Sequence, residues 1–178
     1  MEASHRSNLP VKKINILAAL VERTIFRKRA FRFLLFLLLA LWCFAFSFDS
    51  FFNGSMEAAI TYPFLKKNFH LVCHQLNEKS FLINGNYLMV CARCTGIYLG
   101  AFLTSIVALL YTKRTSLTLR WLYISMIPML VDVASNTFHI YSYSKIFAFF
   151  TGLFFGSTVF IYILSTIENN FTDNLYTK

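Results

Sequence analysis

Apolar residues in this chain fall in long, nearly unbroken runs, with no regular polar face between them. Residues 31–48 carry Arg32 as their only charge, and residues 95–111 carry none. Residues 119–134 have Arg120 at one end and Asp132 near the other, and residues 146–167 are again uncharged. A helix needs roughly 17–25 apolar residues to cross about 30 Å of hydrocarbon, so the runs predict four transmembrane helices, the third being the least apolar. A soluble four-helix bundle would show polar faces at helical spacing, and these runs lack them. The expected fold is therefore an all-α integral membrane protein. Residues 49–94 form a long connecting loop with structure of its own. Apolar positions over 58–74 recur at helical spacing, with Pro63 near the first turn, and read as a short interfacial helix. Asn84-Gly85-Asn86 predicts a tight turn between 80–83 and 87–90. That hairpin would fold Cys73-His74 back towards Cys91 and Cys94.

Composition strengthens the membrane reading. Of 178 residues, 57% are hydrophobic and 14% charged, with 21 Phe and 9 Tyr; soluble domains average about 45–50% and about 25%. The first run is too long and too late in the chain for a cleaved secretory signal, and no small-residue cleavage pattern follows it. The net charge of +9 is concentrated ahead of that run: Arg6, Lys12, Lys13, Arg23, Arg27, Lys28, Arg29 and Arg32 stand against Glu2 and Glu22. Beside a membrane segment the positive-inside rule accounts for this more simply than nucleic acid does. Residues 1–30 thus read as a basic cytoplasmic segment. Ile14, Leu17, Ala18, Val21 and Ile25 form one face of an amphipathic helix suited to anionic lipid headgroups. With the N-terminus inside, the 49–94 loop lies outside. Lys113 and Arg114 fall in an inner link, and the 168–178 tail returns to the cytoplasm. The expected location is the cell membrane, and the expected partner is the lipid bilayer.

This topology brings the start of the second helix, the end of the third and the start of the fourth to one membrane face. Cys91 and Cys94, Asp132 and Asn136, and Thr151 then approach one another. Thr95-Gly96-Ile97-Tyr98-Leu99-Gly100 and Thr151-Gly152-Leu153-Phe154-Phe155-Gly156 share a Thr-Gly-x-aromatic-x-Gly pattern. Each holds a Gly-x-x-x-Gly that allows close helix approach, so the two helices are expected to cross there.

Cys73-His74-Gln75, Glu78-Lys79-Ser80-Phe81, Gly85 and Cys91-Ala92-Arg93-Cys94-Thr95-Gly96-Ile97-Tyr98-Leu99-Gly100 together resemble a family of small prokaryotic multi-pass membrane proteins catalogued as a domain of unknown function. The resemblance spans roughly residues 66–163. It implies an Asp in the next membrane helix and a later Thr-Gly, matched by Asp132 and Thr151-Gly152. Two positions depart from the pattern: Val133 follows the Asp where Gly is common, and Ala148 lies where a basic residue is frequent, leaving Lys145 the nearest cation. The resemblance implies a membrane location and no particular activity.

Three chemistries fit these residues. Cys73, His74, Cys91 and Cys94 could bind a metal ion such as zinc, which favours four tetrahedral N/S ligands and often uses a Cys-x-x-Cys half-site. Adjacent Cys73 and His74 ligate together only with a bent backbone, which makes His70, one helical turn earlier, an alternative. Thiol–disulfide exchange through Cys91 and Cys94 is the second reading, since a helix N-terminus and Arg93 favour a thiolate. No thioredoxin-like pattern surrounds that pair, and Cys43, inside the first run, reads as an inert apolar residue. The third is ligand binding or transport at Asp132, the one acid within a predicted span; its plainer role is to pair with Arg93 or Lys145. Arg93 is also placed to meet a headgroup phosphate. Four helices leave little room for a pathway, so transport would need an oligomer. Hydrolysis has the least support: Ser80 and Ser135 lack a positioned base, and His139 stands alone.

Overall fold

A computed structural model describes residues 11–51, 56–111, 118–138 and 143–176, with side chains left out at 11–25, 49, 56–61 and 170–176. The 112–117 link with Lys113 and Arg114, and His139, lie outside the described residues. Helix α1 (Val11–Phe51) runs without a break from the basic segment through the first apolar run, so the proposed amphipathic stretch and the first span are one continuous helix. Three long helices follow: α3 (Ala92–Leu110), α4 (Leu119–Thr137) and α5 (Lys145–Tyr176). Stretches Phe26–Phe48, Ala92–Leu110 and Lys145–Asn169 are long and apolar enough to cross a membrane. Helix α4, expected as a fourth span, has the length, 19 residues, but falls short of these three in apolarity. Arg120, Ser125 and Asp132 leave it less apolar than the other three, as its sequence foretold.

Between α1 and α3 the loop folds into α2 (Met56–His70) and a hairpin of β1 (Ser80–Ile83) and β2 (Asn86–Cys91). This hairpin is the one departure from an all-α fold among the described residues. Pro63 sits in mid-helix rather than in the first turn, because α2 begins earlier than the apolar spacing indicated. Asn84 and Gly85 take φ of 52° and 84°, the pair of left-handed residues that a two-residue hairpin turn requires. Their Ile83↔Asn86 closure sets the register, and Asn84 Nδ2 donates to the Ser50 carbonyl at 3.1 Å, tying the turn to the end of α1. Further along, Leu82 pairs with Tyr87 and Ser80 with Cys91, an irregular step that gives β2 two extra residues. That bulge explains why Leu88, Met89 and Val90 are all buried, where a regular strand would alternate.

Helices α3 and α5 run parallel and in close contact. A Cβ added at Gly96, Gly100, Gly152 or Gly156 would overlap a backbone carbonyl of the partner helix: those of Phe149, Leu153, Arg93 and Ile97 respectively. The crossing expected from the repeated Gly-x-x-x-Gly is present, and Ser157 Oγ reaches the Gly100 carbonyl across it at 3.2 Å. Helix α1 lies along α3 through Phe36 and Phe102, whose rings stack 5.5 Å apart. At one end of the bundle the loop elements close over α1 and α3. Phe46, Phe69, Cys73, Leu88, Met89 and Val90 form the buried cluster there, with Tyr98 and Cys94 packed against it. At the opposite end, Arg32 of α1 donates two hydrogen bonds to the Glu168 carboxylate of α5, at 2.5 and 2.9 Å. Its remaining nitrogen donates to the carbonyls of Ala108 and Tyr111, where α3 ends.

Candidate metal centre

Each cysteine reaches the centre by a different local device. After α2 the chain tightens through Cys73 N–H to the Phe69 carbonyl at 2.9 Å, and two residues later Gln75 turns it with φ of 49°. A non-glycine residue in that region carries strain of about 1–2 kcal/mol. Gln75 is held there by its side-chain amide, which donates to the Lys66 carbonyl at 2.9 Å. Cys91 ends β2 and occupies the N-cap position of α3, while Cys94 lies in that helix's first turn. The hairpin bulge and the helix start thus set both Cys-x-x-Cys side chains opposite Cys73.

The three sulfurs all lie within 4.8 Å of one another, and all are free thiols. Cys91 N–H donates to Cys73 Sγ at 3.2 Å. Hydrogen bonds from the thiols of Cys91 and then Cys94, helped by the backbone amides of Cys91 and Gln75, outweigh burial and hold the Cys73 thiol well below the usual thiol range. The same interaction with Cys73 pushes the Cys91 thiol up, because Cys91 must keep the proton it donates. Cys73 lies within the buried apolar cluster, with Cys91 and Cys94 packed against it. Such a group of three soft donors can hold a metal ion.

The predicted histidines do not join it. His70 and His74 are exposed, and neither falls within the sulfur group. Their positions follow from local geometry: His70 ends α2 on its outward side, and at the turn into Gln75 the Cys73 side chain goes inward while His74 faces out. The remaining candidates gather behind the sulfurs, between the helices. Asp132 is fully buried and pairs with Arg93 Nη2, so of its two foreseen partners it takes Arg93. Lys145 instead donates to the Ser80 carbonyl at 2.9 Å, clamping α5 to the hairpin. Arg93 Nε is buried without an acceptor among the described residues. Thr95 and Thr151 donate to the carbonyls of Cys91 and Ala148 in their own helices. Those bonds satisfy the hydroxyls locally and leave neither directed at the sulfurs. Asn136, half-buried, follows Asp132 by one turn of α4. The convergence of α3, α4 and α5 expected from topology is thus present, with the ion pair and the sulfur group on adjacent sides of the α3 start.

Residues 73–162, about half of the chain, match the model of a family described as "Predicted membrane protein (DUF2085)". The chain belongs to this family. Its matched stretch opens on Cys73 itself and takes in the whole sulfur group, the Arg93–Asp132 pair and the glycine crossing. Among relatives, an uncharacterised protein of Methanocaldococcus jannaschii is 36% identical over 99 residues, covering 54% of this chain and 64% of that protein. An uncharacterised protein of Methanothermobacter thermautotrophicus is 36% identical over 86 residues, covering 48% of this chain and 78% of its own length. The chain thus spans just under two thirds of the first relative. No solved structure matches it.

Arg32 and Glu168 lie outside the family match, and sequence reasoning did not join them. The signal was present: each is an ionisable residue at one edge of an apolar run, and such charges are costly in lipid unless paired.

Proposed function

We propose that this membrane protein holds a soft metal ion, zinc by preference, on Cys73, Cys91 and Cys94. The single observation carrying this reading is the approach of three sulfurs from three separate elements to within 4.8 Å. Zn–S bonds of about 2.3 Å at tetrahedral angles need sulfurs about 3.8 Å apart, a small contraction of such a group. A divalent cation would displace protons from the thiols it binds, and the Cys91 amide donated to Cys73 Sγ would orient that ligand. The fourth position falls to His74, through a turn of its exposed side chain, or to water. His70 is the more distant alternative, at the end of α2. The excess of Lys and Arg before the first span favours an N-terminus in the cytoplasm, and with it a sulfur group at the outer face of the cell membrane.

Elemental analysis of the full-length protein, purified under reducing conditions with zinc present, is expected to find about one zinc per chain. Cys91→Ser with Cys94→Ser should abolish it, and His74→Ala should weaken it if the imidazole closes the site. Bound metal should also be released as pH falls, because protons compete for the thiolates. Metal-free protein under these conditions would sink the proposal. If that protein instead carried a Cys91–Cys94 disulfide that opens and re-forms, thiol–disulfide exchange would take its place.

A further inference from the structure

Next to the buried cluster, α2, the connecting turn and the hairpin border a second, open feature. A hollow of about 190 Å³ lies between α2 and the hairpin. Its polar lining comes from Tyr62 and Lys66 of α2, Gln75 and Asn77 of the connecting turn, and Asn86 and Tyr87 at the start of β2. One ammonium, three carboxamides and two phenols thus face a single space, and no carboxylate is among the described lining residues. The Lys66 ammonium sits 5.3 Å from the centre of the Tyr62 ring and has no carboxylate partner among the described residues. Gln75, which forms part of the wall, is also the residue held at a positive φ and pinned to the Lys66 carbonyl. Strained backbone of this kind persists only where its surroundings enforce it, and it concentrates at binding sites.

We propose that this hollow binds a small phosphate-bearing anion. The charge of the lining selects a negative ligand, and Lys66 supplies the point charge that phosphate sites use. The amide and phenol groups then offer donors around the remaining oxygens. At about 30 Å³ per water molecule, the space would hold about six waters, enough for a phosphate with part of an ester substituent. A compact metal-sized ion would leave most of the hollow empty, and a long apolar ligand would find too few apolar walls. Because α2 and the hairpin sit at the end of the membrane helices, the phosphate could arrive free in solution or as the headgroup of an anionic lipid. This inference is independent of the metal reading: it uses none of the sulfurs.

The full-length protein in a neutral detergent would be titrated with inorganic phosphate and with glycerol phosphate by calorimetry. In parallel, protein in nanodiscs of phosphatidylcholine with a minor share of phosphatidylglycerol would be tested for headgroup enrichment by phosphorus NMR. Saturable binding of a soluble phosphate that weakens at least tenfold in Lys66→Gln and in Asn77→Ala supports the free-anion source. Enrichment of phosphatidylglycerol alone, lost in the same variants, supports the lipid source. Lys67→Gln removes the same charge from the next residue, which does not line the hollow, and should leave binding within twofold of the parent. Each variant is exposed, so an unchanged thermal midpoint confirms its fold. Absence of both kinds of binding overturns the proposal, as does equal binding by Lys66→Gln and the parent or equal loss in Lys67→Gln.

Discussion

Arg32→Met is expected to cost the detergent-solubilised protein about 3–5 kcal/mol, the penalty for breaking a buried ion pair by removing one partner. The substitution would take both guanidinium hydrogen bonds from the Glu168 carboxylate, which is 6% exposed. It would also take the guanidinium from the Ala108 and Tyr111 carbonyls that end α3. Those carbonyls have no partner within the helix and depend on an outside donor. Glu168→Gln should cost less, about 1.5–3 kcal/mol, the range for a hydrogen bond to a charged group. Its side-chain oxygen still accepts, and Arg32 keeps both carbonyls. Arg32→Met with Glu168→Met should recover part of the loss of Arg32→Met alone, because the buried carboxylate is removed together with its guanidinium. Full recovery is not expected while the α3 carbonyls stay bare. Thermal unfolding followed by monodispersity on a sizing column measures all three. An Arg32→Met protein as stable as the parent, or a double variant no better than Arg32→Met, would overturn this account.

Second in size is the glycine crossing. Gly96→Val and Gly156→Val are each expected to cost about 3 kcal/mol or more, at or above the upper end for overpacked cores. At both positions the obstructing atoms are backbone, Phe149 O and Leu153 N against Gly96 and Ile97 O and Cα against Gly156. A flexible side chain could rotate away; a helix backbone must move as a whole. Separation would also break the Ser157–Gly100 hydrogen bond and draw α5 away from the carbonyl of Arg93, beside the sulfur group. Gly85 provides the contrast. Its turn position needs a positive φ, yet a Cβ there meets open space, so Gly85→Asn should be nearly neutral because Asn tolerates that region. If Gly96→Val and Gly85→Asn gave the same small change, close helix approach would not be what holds α3 to α5.

Much of the molecule was legible because its signals are local. Uncharged runs announce membrane helices by length, and Asn84-Gly85 announces a two-residue turn by backbone chirality. The glycine repeat in α3 and α5 announced the crossing because only small residues permit it. For Asp132 the sequence left a ligand-binding role and an ion pair equally open, and the choice between Arg93 and Lys145 was beyond local reasoning. Both cations lie near the same end of the bundle, and only the rotation of α4 about its axis decides which one meets the acid. The histidines illustrate the opposite limit. Adjacency to Cys73 made His74 a natural fourth ligand, yet the three sulfurs gather without it and its side chain is exposed.

The sequence by itself determined the membrane class, the helix count, the hairpin and the set of residues at the cysteine end. Each depends on hydrophobicity, chirality or size within a few neighbouring positions. Tertiary structure decided which groups meet. It brought Cys73 to Cys91 and Cys94 through a bulge in β2, and joined Arg32 to Glu168 across 136 positions of chain. It also opened a cationic hollow between α2 and the hairpin. Such meetings depend on the relative rotation and stagger of packed elements, which close packing of the whole bundle sets and no short window of sequence contains.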